Sequence, residues 1–361
     1  MKLAFASAVF VLASAPLSPS QAQTFAISPR YEAVGHFHEG LAPAKENGLW
    51  GFIDTAGNWV VKPQYDSVYR GGDGRFGVKQ DGLWGFVSTT GELVIEPRFT
   101  EIREFSDGVA RVREQNGGWH FIDRNGGRES DSTYIDATNR VDGLAVVKVS
   151  NDYSGETWMI LDPRGTLQPA WDLPQKAIER FDAFSEGFAT ARTANGTIYM
   201  DADGHLLFNG GEIIGGRPFS EGVAAGSNGK KWGFFDREAK TVIGLGLDGA
   251  RDFTQGLAPA AAGGKWGYID KAGNTAYPPT FDAAYSFREG YATVKLDGKF
   301  GFLRTDGNGK ISVYIEPQFE DVFSFREGRA PVMQGGSWGF IAADATGIDL
   351  VRGVVEITPD Q

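Results

Sequence analysis

The stretch WGFID at residues 50–54 recurs as WGFVS at 84–88, WGFFD at 232–236, WGYID at 266–270, FGFLR at 300–304 and WGFIA at 338–342. A phrase that returns at a near-constant interval is the mark of a repeat architecture, in which each unit buries its apolar face only against its neighbours. Anchored on the glycine that opens each unit, the copies start at Gly40, Gly74, Gly108, Gly143, Gly187, Gly222, Gly256, Gly290 and Gly328, with spacings of 34, 34, 35, 44, 35, 34, 34 and 38. An acidic residue precedes that glycine in eight copies, Gln255 being the exception, and Phe stands three residues before the glycine in seven.

Ten residues after the glycine comes Trp50, Trp84, Trp232, Trp266 or Trp338, with Phe300 as an aromatic substitute and Thr197 as a failure. Trp119 and Trp158 arrive later, after 11 and 15 residues, which places insertions in the preceding turn. Seven of the nine tryptophans thus share one slot. A third phrase closes each unit as VVKPQY, VIEPRF, AYPPTF or YIEPQF; it opens the array as AISPRY at 26–31, and the chain ends in VEITPDQ.

Taken together, the WG pair, the F-x-E-G phrase and the I-x-P phrase resemble the bacterial WG-repeat family, also called KWG repeats, from Ile27 onward, most weakly between 128 and 215. The resemblance implies a tandem β-repeat array. The residues support this directly, because GLWGFID and GLAPAK are short, aromatic or β-branched, and bounded by Gly, Asn and Asp. In such a strand Trp50 and Phe52 share one face and Gly51 and Ile53 the other; a glycine there admits the close approach of another backbone or a neighbouring tryptophan. Asp54 and its equivalents open DTAG, DRNG, DPRG, DADG and DKAG, which suit tight hairpins. The proline of the third phrase cannot donate to a ladder, so it belongs on an edge or at a strand end.

The predicted fold is all-β, about nine antiparallel repeats of 34–38 residues. Units of uneven length stack without any need for closure, which favours an open solenoid; a closed ring resembling a propeller is the alternative, although propellers typically have about four to eight blades. Burying each WG tryptophan is worth about 4 to 6 kcal/mol, enough to hold such a stack together. The repeat glycines (Gly40, Gly74, Gly108, Gly187, Gly222, Gly256, Gly290, Gly328) and tryptophans (Trp50, Trp84, Trp119, Trp158, Trp232, Trp266, Trp338) are expected to be structural.

Met1 and Lys2, the apolar run Leu3–Ala15 and PLSPSQA read as a secretory signal over residues 1–22, leaving 23–361 as one array, irregular between 128 and 215. The expected location is periplasmic or secreted. The run is too short to span a bilayer, so no membrane span is expected in the mature chain. The absence of cysteine excludes disulfides and thiol chemistry. Loss of Lys2 takes the net charge from −11 to −12, which argues against nucleic acid as partner.

Catalytic and metal signatures are sparse. His36, His38, His120 and His205 make no ligand spacing. DADG at 201–204 and DGNG at 306–309 lack the glutamate an EF-hand requires. No catalytic residue, metal or cofactor is therefore assigned. The repeated acid of F-x-E-G is expected to hold its own turn through local hydrogen bonds. Residues outside the repeating slots are the candidates for ligand binding: Trp59, and Tyr153, Trp171 and Asp172 in the irregular region. The expected function is a non-catalytic exported scaffold with a protein partner at the cell envelope. A polysaccharide-binding module is the alternative, and a hydrolase on a closed ring is the third.

Overall fold

The structure, a computed structural model, describes residues 25–151, 155–170, 177–208 and 214–343. Among these, the strands form nine antiparallel sheets, eight of them built in chain order by successive hairpins and the ninth completed by a strand from the other end of the chain. The blade that carries Trp50 shows the plan: Ala33–Val34, Ala42–Glu46, Leu49–Ile53 and Trp59–Tyr65 lie side by side. We number the blades 1 to 9 by their repeat glycines, from Gly40 to Gly328. Blade 3 departs from the plan. Its fourth strand is replaced by two bridges, Trp119 with Tyr134 and Ile122 with Arg128.

The blades close into a ring, as in a β-propeller, which corrects the open solenoid expected from the uneven repeat lengths. Ile27–Tyr31 is the fourth strand of blade 9 and pairs antiparallel with Ser337–Ala342, Ile27 opposite Phe340 and Tyr31 opposite Trp338. One apolar cluster then joins the two ends of the chain, with Ile27, Phe37 and Ile53 against Trp338 and Phe340. Closure is favoured because each blade face finds a partner, whereas an open stack leaves two apolar faces in water. Uneven length is no obstacle, since the extra residues lengthen hairpins. The longest spacing lies where Ala145–Asn151 and Gly155–Leu161 extend one hairpin, and the next where Lys299–Thr305 and Ile311–Phe319 extend another.

Adjacent blades meet through the alternation that the sequence predicts. Phe86 and Trp84 of blade 2 turn toward blade 3, where Ile102, Phe105 and Val112 complete the cluster. The Phe of F-x-E-G is the recurrent knob. Phe105 meets Phe86 at 4.9 Å between centroids, Phe253 meets Phe234 at 4.7 Å, Phe287 meets Tyr268 at 5.0 Å and Phe37 meets Phe340 at 5.0 Å. The WG tryptophan lies on the same face and packs against the first strand of its own blade or the residue just after it: Trp84 edge-on to Tyr69, Trp338 stacked on Phe323, Trp266 under Arg251.

The glycine of WG faces the other way, against the fourth strand of its own blade. A Cβ on Gly301 would lie 2.5 Å from the carbonyl oxygen of Ile315, and one on Gly339 the same distance from that of Ile27. Between Phe300↔Phe319 and Phe302↔Ile315 the register shifts. The proline phrase is therefore a bulge that arches over the glycine, and WG and I-x-P are two halves of one contact.

Candidate functional site at the mouth of the channel

Residues of the first strands and of the segments leading from them into the next turn line one cavity of 860 Å³, from Arg326 of blade 9 through His36, Arg70, Glu104 and Asn139 to Ala183 of blade 5. The first strands are thus innermost and the cavity lies in the central channel. At its mouth each first strand ends in a two-residue turn. Glu39 has φ 49° and Gly40 φ 81°, and all nine equivalents repeat this pair of positive values. That is the type I′ hairpin, whose twist matches the strands it joins.

Successive amides in such a turn point into one concavity and bind anions. Here the anion is the carboxylate of the preceding blade. The N–H of Gly74 donates to Glu39 Oε2 at 2.7 Å, that of Gly108 to Asp73 at 2.6 Å, and that of Gly143 to Asp107 at 2.8 Å. Glu221 and Gly222 donate to Glu186 at 2.5 and 2.9 Å, and Glu327 and Gly328 to Glu289 at 2.7 and 2.9 Å. Gly256 donates to Glu221 and Gly290 to the amide oxygen of Gln255, both at 3.0 Å. Glu327 closes the circle on Glu39 and Gly40. The expectation of local bonds within each turn is therefore corrected: the repeated acid links its blade to the next. Basic residues of neighbouring hairpins add to several links, with Arg237 2.9 Å from Glu186 and Lys271 3.3 Å from Glu221.

A second set of acids, not singled out in the sequence, works at the opposite end of the blades. Glu32, Asp66, Asp248, Asp282 and Glu320 accept amides of the turn between the second and third strands, for example Gly335 and Gly336 on Glu320 at 2.9 and 3.0 Å. Their signal was present, since each follows the aromatic or aliphatic residue that ends the third phrase. A third set makes the expected Asp turns. Asp270 Oδ1 accepts from Ala272 and Asn274 at 2.9 and 2.8 Å, and Asp54, Asp123, Asp162, Asp201, Asp236 and Asp306 repeat the pattern.

Such bonds hold some of these carboxyls more acidic than usual. Gly336 and Gly335 amides keep Glu320 below its ordinary range, the Thr166 amide does so for Asp162 and the Asn274 side chain for Asp270. Burial works to raise Glu186, but Arg237 and the Gly222 and Glu221 amides outweigh it. Asp201, Asp203 and His205 lie close enough together to hold an ion; the Asp201 carboxylate is already engaged as the turn acceptor.

With the repeated acids so occupied, the groups left facing the channel are those that change from blade to blade. Four residues before the repeat glycine stand His36, Arg70, Glu104, Asn139, Ala183, Pro218, Asp252, Ser286 and Ser324; two before it, among others, Arg288 and Arg326. Neighbours in this circle touch. Arg70 pairs with Glu104 at 2.6 Å, His36 Nε2 lies 3.2 Å from Ser324 Oγ, and Asp252 takes a two-pronged pair from Arg217 at 2.6 and 2.9 Å. Burial and the charges of Arg326 and Arg288 push His36 down to about 4. The sequence signal for this set is its variation against a fixed background.

Of the four predicted ligand residues, Trp59 opens a fourth strand opposite Ile53 and sets its ring edge-on to Tyr31 at 5.6 Å, beside the cluster that closes the ring. The structure does not bring it to the channel cavity. Tyr153, Trp171 and Asp172 lie outside the described residues, as does the stretch 1–22 expected to be a secretory signal. The described residues include no helix long and apolar enough to cross a membrane.

A model of the WG containing repeat matches residues 21–50, 50–84, 84–119, 232–266, 266–300 and 306–338, more than half of the chain. Among curated proteins none matches. Solved structures resemble it at low identity. A eukaryotic initiation factor aligns with a TM-score of 0.56 at 10% identity, over 88% of this chain and 92% of that one. The computationally designed Ika8 protein aligns at 0.45 and 15% identity, over 77% and 96%, and Sqt1 of Saccharomyces cerevisiae at 0.42 and 11%, over 89% and 97%. At these identities the first likeness concerns the fold alone.

Proposed function

The chain belongs to the WG containing repeat family, and from that premise we propose that it is a non-catalytic scaffold, exported by its leader, that holds a protein partner at the cell envelope. One observation carries the non-catalytic part. The carboxylates repeated around the ring accept backbone N–H groups, and every carboxyl with a displaced pKa among the described residues is displaced downward. A general acid needs the opposite displacement to keep its proton near neutrality. The invariant positions serve the ring, and the varied residues at the channel mouth are free to discriminate a partner.

The test uses the full mature chain as bait for cell-envelope material, with a quadruple variant, His36→Ala, Arg70→Ala, Glu104→Ala and Arg326→Ala, as comparison. A protease-sensitive species retained by the native chain and lost by the variant, at equal thermal stability, is the expected result. Retention of protease-resistant sugar alone would replace the protein partner with a polysaccharide. Turnover of a glycoside substrate by the purified chain would overturn the non-catalytic assignment.

A further inference from the structure

The channel wall is electrically uneven. On one side Asp252 is matched by Arg217, and at the next sector Glu104 is matched by Arg70. Across blades 8, 9 and 1 the balance fails. Arg288 and Arg326 occupy the same slot in adjacent blades, where other blades carry Ser106, Ser185, Ser220 or Thr254. In several of those blades the hydroxyl donates to a carbonyl of the next blade, as Ser106 does to Arg140 and Ser220 to Phe253. Arginine at this slot replaces the short hydroxyl with a long cationic side chain, and Arg326 lines the cavity.

Neither arginine has a salt bridge among the described residues, and Arg326 Nε is buried without a hydrogen-bond partner. The rim acids beside them are engaged elsewhere, since Glu289 accepts from Glu327 and Gly328 and Glu327 from Glu39 and Gly40. Arg326 and His36 share the 860 Å³ cavity with Arg70 and Glu104. One oxygen of Glu104 holds Arg70; its Oε2 is buried and unpartnered, so the wall offers one acceptor beside its cationic arc. Burial, Arg288 and Arg70 lower Arg326 and outweigh the opposing charges of Glu289 and Glu327, and burial, Arg326 and Arg288 lower His36. Guanidinia without a direct salt bridge around a concave space are suited to an oxyanion, which arginine binds through parallel N–H donors.

We propose that the arc formed by Arg288, Arg326 and His36 at the channel mouth binds a small molecule carrying a phosphate or a cluster of carboxylates. This site overlaps the surface that discriminates the proposed partner, sharing His36 and Arg326 with it, and its test reads a small anion directly, so it can fail while capture of a protein partner succeeds, or the reverse.

The experiment is calorimetric titration of the full mature chain at low ionic strength with inorganic phosphate and, separately, with citrate. Saturable binding of one anion per chain is expected, weakened at least tenfold in Arg326→Gln and in Arg288→Gln, and unchanged in Lys240→Gln, in the turn between the third and fourth strands of blade 6. Phosphate alone would identify a phosphorylated ligand, citrate alone a polycarboxylate, and both a site that reads charge. Absence of saturation with either, or equal affinity in the two arc variants, overturns the proposal. If an arc variant fails to fold, proton resonances of His36 in the native chain decide. A bound anion shifts its titration upward from about 4, and a midpoint unmoved by saturating phosphate and citrate rejects the site.

Discussion

Glu327 and Gly40 stand 287 residues apart in the chain, yet the Gly40 N–H donates to the Glu327 carboxylate at 2.8 Å, and the Glu39 N–H donates beside it. The same carboxylate bond joins six other pairs of blades, and the Gln255 amide oxygen takes its place at a seventh, so the seam of the ring is chemically like most of the rest. Replacing Glu327 with Ala should therefore cost about 1 to 2 kcal/mol, the worth of a charge-assisted hydrogen bond at a solvent-facing site. Denaturant unfolding reads the total. Hydrogen exchange should show faster opening in blades 9 and 1 than in blade 5, and a uniform change around the ring would contradict the seam.

The knob between blades outranks the tryptophan. Phe287 is 2% exposed and packs on Tyr268 across the interface, so Phe287→Ala should cost about 3 to 5 kcal/mol. Trp266 is only half-buried, and Trp266→Ala should cost less. Equal or reversed losses in chemical denaturation would mean that the tryptophan carries the interface.

Glycines differ sharply by place. Gly301→Ala puts a methyl 2.5 Å from the Ile315 carbonyl oxygen and should destabilise by about 1 to 3 kcal/mol, as overpacking does. Gly244 has open space where its Cβ would be, so Gly244→Ala should be neutral or stabilise by up to about 1 kcal/mol through the unfolded chain. Thermal unfolding of the two variants side by side tests the bulge contact, and similar midpoints would deny it.

Stability should fall with acid in two stages. His36 is held at about 4 against 6.5 when unfolded, and His120 is also lowered by burial. The unfolded chain then binds more protons, so stability present above pH 6.5 is lost as pH falls toward 4. His36 faces Arg326, Arg288, Ser324 and, across the cavity, Arg70 and Glu104. The second stage belongs to carboxyls held below their ordinary values of 3.8 for Asp and 4.5 for Glu, including Asp54, Asp162, Glu186, Asp270 and Glu320. Their contribution is complete above pH 5 and disappears as pH drops through and beneath those values. His36→Gln should flatten the upper stage and leave the lower one intact. An unchanged slope between pH 6.5 and 4 would remove His36 from the account.

Much of this was legible in the residues. Phe52 beside Trp50 gave the strand face, and Asp54 with Gly57 gave the hairpin, because both depend on neighbours within a few positions. The glycine of WG was readable as a place of close approach, though not that its own fourth strand makes the approach. Closure was written at AISPRY, a fourth strand with no three before it, but VEITPDQ at the other end offers the same phrase. Sequence cannot choose between two strands for one edge, and pairing of Ile27 with Phe340 is a decision of the whole ring. The inter-blade role of Glu39 was hidden for a related reason. A carboxylate next to a turn satisfies local amides in most settings, and only the curvature of the ring brings Gly74 nearer.

The strand at residues 27–31 seated in the last blade leaves the molecule without a structural beginning. Its backbone is a loop of nine stations, interrupted where Ala343 and Phe25 flank neighbouring strands. A gene rearranged to start at the link before any other blade, with the old ends joined, would encode the same sheets in the same order. Such permuted chains offer a way to ask which junction nature's ribosome leaves until last, and whether the seam's position matters to folding at all.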